Sequence, residues 1–312
     1  MNDSSLMTAS IVEAHRDAIA LRSESLHDGV FTSDSPVYRA AKTACQQLGF
    51  IDADAQYVAS AWQSQTARTG EFDAHRWPDD PADFGMANWP RPNAFAPCPS
   101  LLGLYAVLPD ANWVARMAQA GVPTVQLRFK SDDQHAIDRE INAAVNAVKG
   151  TGSLLFINDH WQTAIEAGAY GVHLGQEDME VAQLETIRQA GLRLGLSSHG
   201  YAEMIKADAF SPSYIAMGAV YATTLKRMVT PPQGPGRLRA YARLMRNYPL
   251  VAIGGIDESR MDEVLASGVG SIAVVRALVG AKEPEKQARL LSQRISTDHL
   301  QRQPGSSSQI EP

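Results

Sequence analysis

The chain has 312 residues, 45% of them apolar and 20% charged, with a formal net charge of -6. That length and composition support a sizeable core and one large domain with an appendage, or two domains. An acidic balance argues against nucleic-acid binding, and Cys45 and Cys98 alone cannot build a disulfide framework or metal cage; with no basic, apolar leader and no run of membrane-spanning length, the expectation is cytoplasmic.

Residues 1–100 carry no motif with nameable chemistry. Helical spacing predicts short helices over 11–21, 37–48 and 55–62, the second announced by Asp34, Ser35 and Pro36. From 77 to 100 prolines crowd between Trp77, Phe84, Trp89 and Phe95. Such a stretch suits an extended connector laid on the larger domain rather than a free tether.

From Leu104 short apolar runs alternate with amphipathic segments. Strands are expected at 104–108, 124–129, 153–157, 170–174, 193–197, 214–217, 250–253 and 271–275. Helical patterns follow most of them, at 113–120, 137–148, 161–168, 181–190, 238–246, 260–267 and 283–294. Eight strand-helix units between 101 and 297 fit a compact (β/α)8 TIM barrel of the α/β class. A doubly wound sheet usually has fewer strands, and no Gly-x-Gly-x-x-Gly follows the first strand. The polar tail, 298–312, is expected to be disordered.

Barrel chemistry gathers at strand C-termini, and capable side chains do gather there. The alternation of Gln126, Arg128 and Lys130 with Leu127 and Phe129 predicts one polar face, able to grip a phosphate chain. Asp159 and Asp178 each follow a strand, and two such aspartates facing cations suit a magnesium ion. Helix capping is the plainer reading of either aspartate alone; their pairing favours the metal. His173, between Gly171 and Gly175, points into the barrel, where the glycines leave room for a ligand; a satisfied core histidine is the alternative. Ser197 offers a hydroxyl, and the long 221–234 loop, with Thr223 and Lys226, reads as a lid. Gly254-Gly255 and Val275-Arg276 end the last two strands, where barrels commonly hold a phosphate. Two anion-binding zones suggest two phosphorylated substrates.

In order and spacing, Gln126-Leu127-Arg128-Phe129-Lys130, Asn158-Asp159-His160, the octet Gly-Val-His-Leu-Gly-Gln-Glu-Asp at 171–178, Gly195-Leu196-Ser197-Ser198-His199 and Ala252-Ile253-Gly254-Gly255-Ile256 closely resemble the thiamine-phosphate synthase family. The resemblance covers about 104–277 and leaves the N-terminal third outside. It implies a transferase that joins an aminopyrimidine-methyl diphosphate to a hydroxyethylthiazole phosphate, releasing pyrophosphate. By the same resemblance Gln126, Arg128, Lys130 and Asn158 bind the pyrimidine diphosphate, Asp159 and Asp178 hold Mg2+, and Ser197 contacts the diphosphate. Thr223, Lys226 and Gly255 follow the family's contacts to the phosphates and thiazole, with His173, Val275 and Arg276 also lining the substrates. Arg128, Lys130, Ser197 and Lys226 are then the catalytic set.

Two positions depart from the family pattern, both on the thiazole side. Thr223-Thr224-Leu225-Lys226 stands where Thr-x-Thr-Lys is usual, and Val275-Arg276 where Val-Ser is usual. The rival readings are a thiazole-phosphate tautomerase and a non-catalytic binder of thiamine precursors. Small-molecule substrates are the expected partners, with no nucleic acid or membrane, and a homo-oligomer left open.

Overall fold

Strands buried on both faces need near-continuous apolar runs, and eight such runs follow one another here. A computed structural model describes residues 3–21, 30–89, 91–223 and 230–302. Its strands are β1 (Gly103–Leu108), β2 (Thr124–Leu127), β3 (Leu154–Asn158), β4 (Gly171–Leu174), β5 (Arg193–Ser198), β6 (Tyr214–Met217), β7 (Leu250–Ala252) and β8 (Ser271–Val274). All neighbours pair in parallel and in chain order, and β8 returns to β1 to close the barrel. The expected (β/α)8 class is therefore the observed one.

Helices α1 (Asp3–Ile19), α2 (Pro36–Gln47) and α3 (Asp52–Thr69) precede the barrel. Around it run α4 (Ala111–Gln119), α5 (Gln134–Ala147), α6 (Trp161–Ala167), α7 (Gln176–Val181), α8 (Leu184–Gln189), α9 (Tyr201–Ala209), α10 (Gly234–Leu244), α11 (Met261–Leu265), α12 (Arg276–Val279) and α13 (Pro284–Arg302). Several boundaries differ from expectation, α1 and α3 starting earlier than the expected 11–21 and 55–62, and three further differences have a visible cause. β2 stops at Leu127, because Arg128 is already exposed at the rim. The helix expected over 181–190 begins only at Leu184 as α8, since Ala182 turns extended, and α7 fills 176–181 ahead of it, where no helix was expected. α13 continues through Arg302, its last turn closed by the Arg302–Asp298 ion pair at 2.6 Å, so residues 298–302 are helical; 303–312 lie outside the described residues.

The N-terminal helices are docked by polar anchors over an apolar seam. Arg237 of α10, 2% exposed, donates to the carbonyls of Ile19 (3.0 Å) and Leu48 (2.8 Å), meeting acceptors that the C-terminal ends of α1 and α2 leave open, and its guanidinium lies over the Phe50 ring at 3.6 Å. Gly236 permits the approach, since a Cβ there would fall 1.6 Å from the Ala18 carbonyl oxygen. Trp77 donates its indole N–H to Tyr201 of α9 at 2.8 Å. Along the connector, Phe84 stacks on Tyr201 and Arg91 pairs with Asp208 at 2.6 Å.

Asp54 of α3 reaches the start of α9. Gly200 has no side chain with which to cap that helix, and the Asp54 carboxylate accepts the Ala202 N–H at 2.9 Å in its place. Burial pushes the Asp54 carboxyl up to about 6, against the opposing pull of that N–H and of Arg237.

Replacing Arg237 by Met leaves the buried Ile19 carbonyl unmet, while Leu48 O keeps only the Leu21 N–H; stability is expected to fall by about 1–3 kcal/mol, read by urea unfolding, with residues 1–100 becoming the first segment cut by protease. Because the Asp54 pKa is raised on folding, its contribution is complete below its ordinary 3.8 and is lost as pH rises through about 6. The stability of the unsubstituted protein should therefore fall more between about pH 4.5 and pH 7.5 than that of Asp54→Asn, which keeps the acceptor but cannot ionise.

Candidate active site

Parallel closure brings all eight strand C-termini to one rim. Gln126, buried near the end of β2, donates through Nε2 to Asn158 Oδ1 at the end of β3, 3.3 Å away. Beyond the strand, the Lys130 ammonium pairs with the Asp159 carboxylate. The sequence pattern thus brings two members of the polar triplet against neighbouring groups of β3. Arg128 is exposed at the same strand end, its backbone N–H held by Leu108 O at 2.8 Å.

Asp159 has φ of 65°, a left-handed conformation shared among described non-glycine residues only with Ser211. Aspartate tolerates this region better than most residues, yet it is an uncommon backbone state that clusters at functional sites. The turn brings its N–H to His173 O at 3.1 Å and its carboxyl within hydrogen-bonding reach of Asp178. Asp178 lies inside the first turn of α7 rather than ahead of a helix, and its Oδ2 accepts the Gly175 N–H at 3.1 Å. Asp178 therefore caps its own helix, the plainer of the two readings, with its carboxyl still beside Asp159.

The two carboxyls are pushed apart electrostatically. Burial opposes charge on Asp159, but the Lys130 hydrogen bond and charge, with help from Asp178 and His173, hold its carboxyl below the usual range. Burial and then the negative charge of Asp159 push Asp178 up. Two carboxylates facing one ammonium leave the cluster short of positive charge. Among the described residues no group of three or more His, Cys, Asp or Glu forms a self-contained metal cage. A pair of carboxylate oxygen donors open to solvent fits magnesium, which keeps water and substrate oxygens in its shell.

On the next two strands, His173 Nε2 lies 2.8 Å from Ser197 Oγ and Nδ1 lies 2.7 Å from the Tyr214 hydroxyl. Both ring nitrogens are engaged within the protein, which corrects the expectation of a ring open to a ligand. Of the two glycines flanking His173, Gly171 faces the Phe156 ring, 2.5 Å from where a Cβ would fall, and Gly175 faces the Asp178 carboxylate at 3.0 Å; on β5 a Cβ at Gly195 would fall 2.1 Å from Tyr214 Cζ. Gln176, which sequence reasoning passed over, donates to the Ser197 carbonyl at 2.7 Å. Tyr214 was also passed over as a functional group; the signal was a mid-strand glycine paired in register with an aromatic residue.

On the opposite side of the rim, Gly254 and Gly255 take φ of 105° and 63°. Added Cβ atoms would meet Ala219 Cα at 2.6 Å and Ala222 O at 2.5 Å, so both glycines admit the chain that follows β6, a reason the sequence did not reveal. Arg260 donates to the Gly255 carbonyl. Val275 is half-buried ahead of α12, and Arg276 is exposed at its first position. Thr223 borders the loop, while Thr224, Leu225 and Lys226 lie outside the described residues. Gly195→Ala is expected to displace Tyr214 and lower stability by about 1–3 kcal/mol, checked by thermal or urea unfolding; an unchanged midpoint would show that the ring moves without cost.

No helix among the described residues is long and apolar enough to cross a membrane. A family model described as thiamine monophosphate synthase matches residues 104–278. The thiamine-phosphate synthase of Neisseria gonorrhoeae is 55% identical over 191 residues, covering 61% of this chain and 93% of its own. That of Photorhabdus laumondii is 46% identical over 193 residues, covering 62% and 89%. Among solved structures, thiamine phosphate pyrophosphorylase from Pyrococcus furiosus aligns with a TM-score of 0.55 at 26% identity, over 62% of this chain and 96% of that one. The match runs through the whole barrel, from β1 into α12, and the chain belongs to the thiamine monophosphate synthase family.

Proposed function

We propose that the protein is a thiamine-phosphate synthase, joining an aminopyrimidine-methyl diphosphate to a hydroxyethylthiazole phosphate with release of pyrophosphate. The observation that carries the reading is the Lys130–Asp159–Asp178 cluster beside the Gln126–Asn158 pair. Cations and carboxylates at one rim suit a departing diphosphate. A tautomerase has no use for them.

In this reading Asp159 and Asp178 hold Mg2+, which when bound supplies positive charge to the diphosphate oxygens. Arg128 and Lys130 add charge from just beyond the end of β2, and Ser197 contributes a hydroxyl from β5. The Gln126 amide, oriented by Asn158, meets the pyrimidine, and Lys226, outside the described residues, is assigned to the phosphates by the family resemblance. The C–O bond of the pyrimidine methylene breaks with its electrons leaving on pyrophosphate. Positive charge on the methylene is spread through the ring amino group, and the thiazole nitrogen lone pair forms the new C–N bond. No protein nucleophile enters, so rate comes from positioning and charge. Thr223, Gly255, Val275 and Arg276 serve the thiazole phosphate. With Cys45 and Cys98 both free, the setting proposed is the cytoplasm.

Incubating the protein with both substrates and magnesium should release pyrophosphate, and no release would overturn the reading. Asp159→Ala and Asp178→Ala should each cut turnover by more than about a hundredfold while leaving the melting temperature within a few degrees. Undiminished turnover in either variant would refute the metal assignment.

A further inference from the structure

Beneath Ser197 a chain of hydrogen bonds descends into the barrel that the synthase chemistry does not by itself require. Ser197 Oγ meets His173 Nε2 at 2.8 Å, His173 Nδ1 meets Tyr214 Oη at 2.7 Å, and Tyr214 Oη meets Tyr105 Oη at 2.8 Å. These groups come from β5, β4, β6 and β1, so the chain crosses the barrel interior. It is dry at its lower end, where Tyr105 and Tyr214 are 2% and 0% exposed. The His173 and Tyr214 rings stack with centroids 5.7 Å apart, which fixes the imidazole plane.

Proton counting sets the direction of this chain. A neutral imidazole has one N–H donor and one acceptor nitrogen. If Ser197 donated to Nε2, the proton would sit on Nδ1 and point at Tyr214. The two phenols would then hold two protons with one acceptor between them. Among the described residues Tyr105 Oη has no hydrogen-bond partner other than Tyr214 Oη, so one buried O–H would be orphaned. Such an orphan bears its full desolvation cost with nothing to offset it. In the opposite sense every proton has an acceptor: Tyr105 donates to Tyr214, Tyr214 to Nδ1, and Nε2–H to Ser197 Oγ. Burial raises the pKa of both phenols, which keeps them protonated as this direction requires.

We propose that Tyr105, Tyr214 and His173 form a one-way relay that holds His173 as the Nε2–H tautomer and leaves the Ser197 hydroxyl proton free for the substrate diphosphate. No proton is transferred along it. Ser197, accepting from His173, must direct its own O–H elsewhere, and the diphosphate oxygen whose charge grows during bond cleavage is the acceptor that gains most from it. Gln176 holds the Ser197 carbonyl at 2.7 Å, so the serine is fixed from its backbone as well. Tyr214 and His173 are thus positioning residues acting through Ser197, and Tyr105 completes the chain by donating to Tyr214. The part played by the diphosphate rests on the synthase reading; the tautomer does not.

Two measurements on the full chain test this. Long-range 1H–15N spectra of the histidine-labelled protein without substrates, with the His173 signals assigned by their loss in His173→Gln, should show the ring proton on Nε2. A proton on Nδ1 overturns the proposal whether or not the protein turns over. In the second, Tyr214→Phe should lower kcat about tenfold with KM values changed less than about twofold, while in a Ser197→Ala background the same change should cost less than about twofold. Equal losses in the two backgrounds would make the effect one of packing and overturn the relay. Should Tyr214→Phe fold poorly, the spectra of the unsubstituted protein alone decide the tautomer, and a proton on Nδ1 there overturns the proposal. Absence of pyrophosphate release by the unsubstituted protein would sink the synthase reading and leave the tautomer result standing.

Discussion

The packing of aromatic rings across the barrel interior is the constraint on which the rim depends. Tyr105, Phe156 and Tyr214 lie with ring centroids 5.1 to 6.0 Å apart, in space that Gly171 and Gly195 leave open. Close-packed interiors transmit small changes of volume, so a methyl group at either glycine is felt at the polar groups above. His173 stacks on this cluster, and its backbone carbonyl receives the N–H of Asp159. Through that one strand, hydrophobic packing fixes both the serine hydroxyl and the turn that aims a carboxylate at Lys130.

The second organising element is the seam between the N-terminal helices and the barrel. Its apolar part is made by Phe50, Trp62, Trp77, Phe84 and Tyr201, but apolar contact does not specify register. Arg237 and Asp54 do, each meeting backbone groups that a helix end leaves open. Arg237 also bonds Gln233 at 3.2 Å, just before α10, so the extension and the return from the β6 loop share one guanidinium. The extension is part of the barrel's wall rather than an independent appendage.

Much of this was legible in the sequence. Apolar runs with polar ends located all eight strands, and residue order placed Asp159, Asp178, Lys130 and Ser197 on one rim, because strand polarity and parallel closure are set by local pattern. What stayed hidden depended on contacts distant along the chain. Asp54 looks like an ordinary first-turn acid of α3, and its true partner, the Ala202 N–H, stands 148 positions away. Tyr214 reads as a strand aromatic until Gly195 is seen beside it in register. Gly254 and Gly255 read as phosphate amides, and that the chain following β6 passes close against both was not visible in the pair itself. The split of α7 from α8 was hidden because Ala182 carries no breaker chemistry.

The pairing of Asp54 with Gly200 also binds two distant codons to each other. A side chain at Gly200 able to cap its own helix would occupy the place of the Asp54 carboxylate, since a Cβ there would lie 2.1 Å from Asp54 Oδ2. A barrel of this family without the N-terminal helices is free to cap α9 from position 200 itself, whereas a barrel wearing them is not. A chimera that strips the N-terminal helices from this barrel while keeping Gly200 would therefore begin with the Ala202 amide open, and one that keeps them but places a side chain at 200 would begin with a collision.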